Sequence, residues 1–295
     1  MPGDPKSVPG TARWDTRLSV SSLSSRSCSL RQDLDLYERL GIDRATLSLP
    51  KLIEAGLESA IDEIVGRGLR VDGVLPGAAF DLTDRSGWSE VHESMNMALE
   101  TAQRLGAHTL LTAGGSARGR RYEWAVDRFS RAIEPVVAAA RLRGVRIAIE
   151  PTRPQFAHLG FVHTLGDGLA LARELDLWLV PDTTHVWWEP DLTGLLAAGA
   201  SRFALLQVAD LAFTRPVLER LVPGDGELRL EAMIHAAVAG GFEGPFEVEI
   251  LGAAIETEGY EGALRRSFEY LQSLVAERSA SCPAPGADTV RENNR

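Results

Sequence analysis

Lysine is nearly missing from this sequence. Of its 31 lysines and arginines only Lys6 and Lys51 are lysine, and the rest are arginine. Lys6 sits in a Pro/Gly-rich leader, and Lys51 follows Pro50 in what reads as the first turn of a helix. Schiff-base chemistry needs a desolvated lysine in a pocket, so both placements argue against PLP enzymes and lysine-dependent aldolases. Cysteine is as scarce: Cys28 and Cys282 stand at opposite ends and form neither a metal-spacing motif nor a Cys–His pair. That usage predicts a reducing, cytoplasmic setting. No run approaches the roughly 18 apolar residues of a membrane span. The opening MPGDPKSVPG also lacks the apolar stretch of a signal peptide. Positive charge is short as well. A formal net charge of −10 counts against a nucleic-acid footprint or an anionic membrane partner. No G-x-G-x-x-G follows the first apolar run, where SVSSLSSRS stands instead, and no G-x-S-x-G occurs. Arginine in place of lysine points to a GC-rich bacterial genome.

What is present is alternation. Between polar tails at 1–15 and 279–295, expected to be disordered, eight β-like runs recur at 17–21, 44–49, 69–75, 108–113, 145–150, 177–180, 202–208 and 245–251. Helical periodicity, or room for it, follows each run. Examples stand at 94–106, 126–144, 164–176, 229–241 and 262–277, and the second, third and sixth helices are the least defined. Eight strand–helix units predict a single-domain (β/α)8 TIM barrel over 16–278. A doubly wound open sheet loses ground for want of its glycine fingerprint.

Chemistry in such a barrel sits at the C-terminal ends of the strands. Strand five ends in Glu150, and strand six ends at Asp182 with His185 in its loop. Strand seven carries Gln207 and Asp210, and strand eight places Glu247 and Glu249 on one face. Carboxylates crowded together repel one another unless a cation lies between them. Oxygen ligands from Glu150, Asp182, Gln207 and Glu249 suit Mg²⁺ or Mn²⁺. Such an ion would grip adjacent carbonyl and hydroxyl oxygens of a sugar and stabilise the enediolate. Two glutamates, Glu150 and Glu249, would remove and return the proton.

These residues resemble those of the xylose isomerase-like superfamily, in particular its sugar phosphate isomerase/epimerase branch, from about residue 30 to 275. The likeness is carried by GVRIAIEP (144–151), PDTTHVWWEPD (181–191), ALLQVAD (204–210), RLVPGDGELRL (220–230) and GGFEGPFEVEI (240–250). It implies a divalent metal on Glu150, Asp182 and Glu249, a substrate contact at His185, and substrate hydroxyls held by Arg220. Two departures stand out. Gln207 and Ala209 replace the family's usual strand-seven His and Lys, which weakens the metal site and moves its preference from Zn²⁺ towards Mn²⁺ or Mg²⁺. Arg153 stands where relatives often have His, a candidate partner for an acidic substrate group.

Bland readings stand beside these. Glu150 alone reads as a salt-bridged strand end, Trp187 and Trp188 as packing, and Arg118, Arg120 and Arg121 as a solvated loop. Trp187 is nevertheless a candidate wall over a sugar face. Three other functions remain open: a lyase of keto-inositol or dehydroshikimate type on the same site, a non-catalytic ligand-binding barrel, and an endonuclease IV-like phosphodiesterase. The last is disfavoured, because only His185 stands at a strand end. The expected partner is a small-molecule substrate, with a homo-oligomer left open.

Overall fold

The computed structural model describes residues 14–214 and 218–279, so the two expected tails lie outside the described residues except at Trp14, Asp15 and Ser279. Among the described residues ten strands are present: β1 (Leu18–Ser21), β2 (Arg44–Ser48), β3 (Arg70–Leu75), β4 (Thr109–Thr112), β5 (Arg146–Ile149), β6 (Trp178–Leu179), β7 (Leu206–Val208), β8 (Asp210–Leu211), β9 (Arg220–Leu221) and β10 (Phe246–Val248). Eight of them form one parallel sheet in the order β6-β5-β4-β3-β2-β1-β10-β7. The seam between β6 and β7 is closed by parallel bridges Leu179–Phe203 and Asp182–Gln207. The result is a single-domain (β/α)8 barrel. Strands β8 and β9 pair antiparallel outside the sheet.

Local chemistry explains the units. Helix Leu30–Leu40 starts at a capping box between Ser29 and Gln32 and stops at Gly41, whose φ of 70° suits a residue without Cβ. The second unit is split into Leu49–Glu54 and Leu57–Arg67 at Gly56, and the sixth into Thr183–Val186 and Leu192–Gly199. Both splits fall where the helical pattern is weak. The third helix, Trp88–Leu105, begins six residues before the predicted 94. Its start is fixed by tertiary contact: the Trp88 ring meets Phe80 edge-on, and its Nε1 donates to the Asp81 carbonyl at 2.9 Å. Trp14 likewise docks on the barrel, tilted against Phe268 and donating to the Leu40 carbonyl at 2.7 Å.

The inside of the barrel is unusually polar on the β10 side. Ser19, Glu247 and Gln207 share one register row across β1, β10 and β7. Below them Ser19 donates to Asp72, which also pairs with Arg44. Just past β1, Ser24 Oγ donates to the Val248 carbonyl at 3.0 Å and accepts from Ile250 N–H at 3.1 Å. Those bonds pin the backbone on either side of Glu249.

Lys51 lies just past the C-terminal end of β2, beside the turn that follows β1. Its Nζ donates to the Ser22 and Ser25 carbonyls, both at 2.9 Å, and to Asp33 Oδ2 at 2.6 Å. Lysine is therefore structural here, as its position in the first helical turn suggests. Burial pushes the Asp33 carboxyl up to about 6, against the pull of Lys51. A folded-state pKa above the unfolded one means that the folded chain keeps the proton longer. The contribution of Asp33 to stability therefore declines as pH rises from about 4, the unfolded value, and levels off above the folded one. Asp33→Asn carries no charge at any pH. Wild-type stability measured relative to that variant should fall by up to about 3 kcal/mol over this window. Parallel urea-unfolding profiles against pH would contradict it.

Candidate active site

Each side chain of the site has a local reason for its place. Glu150 follows β5, and its N–H donates to the Thr112 carbonyl at 2.9 Å, continuing the ladder. Asp182 caps the four-residue helix Thr183–Val186, accepting at Oδ1 from Thr184 N–H at 2.6 Å and from the Thr184 hydroxyl at 2.7 Å. One helical turn then returns His185 over Asp182, which is the physical content of the Asp-x-x-His spacing. Period-two alternation on β10 turns Glu247 and Glu249 inward. Arg220 arrives on β9, whose hairpin with β8 is stapled by Asp210: its carboxylate accepts from the N–H groups of Leu211, Gly224 and Leu228. A Cβ on Gly226 would lie 2.3 Å from Asp210 Oδ1, so that turn needs glycine.

The guanidinium of Arg220 lies at the centre. Its Nη2 donates to Asp182 Oδ2 at 2.5 Å, its Nη1 donates to Glu249 Oε1, and its Nε donates to the Thr184 hydroxyl at 3.2 Å. The same Nη2 is 3.3 Å from His185 Nε2 and 3.9 Å from Glu150 Oε1. His185 Nε2 is itself 3.3 Å from Glu150 Oε1. Gln207 donates both amide hydrogens, to Glu247 Oε1 at 3.0 Å and to Glu249 Oε2 at 2.7 Å. Its carbonyl oxygen is buried without a partner. Glu150 is the most open of the set, with 17% of its side chain exposed against 1% for Asp182 and 6% for Glu249.

Electrostatics follow from this crowding. Burial works to raise Asp182, but the Arg220 charge, His185 and the Thr184 hydrogen bonds overcome it and hold the carboxyl below its ordinary range. Burial raises Glu249, with Arg220 working against it. Glu247, beneath the site, is pushed well above the carboxylate range by burial and then by the Glu249 charge. Burial lowers Arg220, yet Asp182, Glu249 and Glu150 raise it further, and it stays charged.

The predicted site residues divide into two groups. Glu150, Asp182, His185, Gln207, Arg220 and Glu249 come together around one guanidinium. Arg220, expected to hold substrate hydroxyls, is engaged instead with the carboxylates themselves. Arg153 lies one layer out: it donates to the Leu218 carbonyl at 2.8 Å and the Thr184 carbonyl at 3.4 Å, and it stacks on Phe156. Trp187 packs on Phe213 with ring centroids 4.5 Å apart, beside a cleft of about 320 Å³ that Leu192, Leu228 and Met233 also line. In the arginine loop Arg118 pairs with Asp81, and Arg120 lies over Trp124. Thr184 and Phe156 escaped sequence reasoning. The threonine hydroxyl after a strand-end Asp was the available signal for the first; the second, edge-on to His185 at 5.1 Å, left none.

The donor set suits a divalent cation. Ligand atoms of Glu150, Asp182 and His185 all lie within 4.8 Å of one another. Three carboxylates facing one guanidinium leave an excess of two negative charges when ionised.

Comparison with known proteins bears on the family and the fold. A family model described as xylose isomerase-like TIM barrel matches residues 34–274. No curated protein matches the chain. Among solved structures, protein SMc04130 from Sinorhizobium meliloti 1021 is 26% identical, covering 88% of this chain and 98% of its own, with a TM-score of 0.77. The IolI protein, solved with a bound zinc atom, is 18% identical over 89% of this chain and 99% of its own, with a TM-score of 0.78. A D-allulose 3-epimerase from Methylomonas sp. is 16% identical over 89% of this chain and 100% of its own, with a TM-score of 0.70. The last two likenesses speak to the fold.

Arg220 also gives a test of stability. Arg220→Leu strands buried carboxylates and should cost about 3–5 kcal/mol at pH 7. Asp182, depressed in the folded protein, contributes stability above the unfolded carboxylate pKa and loses it as pH falls through the folded one. The gap between wild type and variant should therefore narrow towards pH 4 and below. Denaturant unfolding at several pH values reads this directly, and a gap independent of pH would assign the role of Arg220 to packing.

Proposed function

The chain belongs to the xylose isomerase-like TIM barrel family, and from that premise we propose that it is a divalent-metal-dependent isomerase or epimerase acting on a sugar or sugar-like polyhydroxy carbonyl compound. The observation that carries the reading is that Glu150 and Glu249 reach one guanidinium from separate strands, with Asp182 and His185 between them.

Proton transfer next to a carbonyl needs a base and an acid on one substrate, with pKa values moved towards the working pH. Glu249, raised by burial, and Glu150, open to the mouth, are the two carboxylates placed for that exchange. One carboxylate takes the proton from the carbon between carbonyl and hydroxyl, and the electron pair moves into an enediolate. The other returns a proton to the neighbouring carbon for isomerisation, or to the opposite face of the same carbon for epimerisation. Glu150, Asp182 and Glu249 carry the charge to hold Mn²⁺ or Mg²⁺, with Gln207 or His185 completing the set. Such an ion, when bound, supplies Lewis-acid polarisation of the substrate carbonyl. The imidazole of His185 faces the same point as Glu150 and Asp182. Arg153 braces the loop that carries Thr184, and Arg220 keeps the carboxylates apart and ionised.

Glu150→Gln and Glu249→Gln should each leave a folded protein whose exchange of substrate carbon-bound hydrogen in D₂O falls at least about a hundredfold, the size of a lost acid–base group. Ketoses and keto-inositols with Mn²⁺ supplied are the screen, read by NMR. Full activity in both variants overturns the reading, and a product short of one water reassigns the site to dehydration.

A further inference from the structure

The departure at strand seven reaches beyond a weakened ligand. Both oxygens of Glu249 are occupied by protein donors, Oε1 by Arg220 and Oε2 by the Gln207 amide. Those of Asp182 are occupied too, but Asp182 stands with Glu150 and His185 in the cluster of ligand atoms within 4.8 Å of one another, and Glu249 does not. A glutamine that completed a metal set in the place of histidine would turn its carbonyl oxygen to the shared ion. Here Gln207 presents N–H to Glu249 instead, and its second hydrogen goes to Glu247. An imidazole at that position could not donate two hydrogens to two glutamates from one nitrogen. Glutamine therefore has a use in this fold that histidine lacks: with Arg220 it clamps Glu249 from both sides.

The opposite wall has donors to spare. Glu150 Oε1 meets only His185 and the distant Arg220 nitrogen among the described residues. Arginine has no acceptor, so a hydrogen bond from Arg220 Nη2 to His185 Nε2, 3.3 Å away, uses the tautomer with its lone pair on Nε2. That places the proton on Nδ1, which is buried without a partner beside Phe156. In that tautomer His185, 4% exposed, aims an unprotonated nitrogen at the point where Glu150 and Asp182 converge.

We propose that the metal centre of this chain is displaced: Glu150, Asp182 and His185 hold the divalent ion, and Glu249, clamped by Gln207 and Arg220, is released from ligation to serve only as an acid–base group. His185 is then the one nitrogen ligand, in the role the strand-seven residue has lost. The proposal rests on the metal-dependent reading above but fails separately from it.

The test is binding of Mn²⁺ alone, by calorimetry, to full-length wild type, His185→Ala, Gln207→Ala and Glu249→Gln, each checked for fold by circular dichroism. Loss of His185 should weaken binding at least about tenfold, whereas Glu249→Gln and Gln207→Ala should stay within about threefold, less than even an outer-shell partner usually costs. Weakening by Glu249→Gln or Gln207→Ala as large as that by His185→Ala overturns the displaced centre, as does unchanged binding by His185→Ala. Wild type that binds no Mn²⁺ overturns the metal-dependent reading and the displacement with it. Should His185→Ala fail to fold, pulsed EPR of Cu²⁺-loaded wild type decides: coupling to an imidazole nitrogen is expected, and its absence overturns the proposal.

Discussion

A charge that cannot leave governs this molecule. Arg220 is buried among carboxylates from three strands, and its guanidinium remains protonated at any pH the fold survives. Asp182 and Glu249 would each be expensive to ionise without it. Their geometry is in turn what orders the mouth: Asp182 starts the short helix that carries His185, and Glu249 closes on Gln207. The fork shape of the guanidinium matters as much as its charge, since one planar group reaches Asp182, Glu249 and Thr184 together. Removing the hairpin that delivers it would leave the strand ends intact and the site without its centre.

Much of this was legible in the chain. The strand ends Glu150, Asp182, Gln207, Glu247 and Glu249 could be read because an apolar run that stops at a carboxylate has few structural excuses. Alternation on the last strand also fixed which residues share a face. The Asp-x-x-His spacing carried His185, since a single helical turn is a local event. Arg220 was found through its place before Pro-Gly-Asp-Gly, yet its carboxylate partners were not, because they depend on a two-residue hairpin folding back over the barrel. The early start of the helix at Trp88 was hidden for the same reason: an indole finding Phe80 and a carbonyl is a tertiary event that leaves no period in the sequence. Thr184 escaped because hydroxyls are common near strand ends, and nothing in its immediate neighbours marks this one as bridging Asp182 to Arg220.

The polar column inside the barrel links these levels. From Arg44 and Asp72 through Ser19, Glu247 and Gln207 to Glu249 and Arg220, charged and hydrogen-bonding groups run from one end of the barrel to the other along the β10 side. An apolar filling would hold the strands as well or better. What the column adds is direction: each group leaves its neighbour one orientation that satisfies both, so the carboxylate at the top is aimed by residues that never meet a ligand.

The pairing of β1 with β10 has a consequence for how the molecule comes into being. Leu18 and Phe246 are register partners, and Ser24 grips the backbone around Glu249. On the ribosome, a chain that has emerged as far as Asp182 holds Glu150, His185 still to come, and no ring to set them in. The barrel becomes a closed object only when the last strand slides between the first and the seventh, a contact across more than two hundred residues that is slow to form. A nascent or truncated chain therefore displays an open sheet edge and no site, so the assembled site and protection from aggregation arrive in the same step.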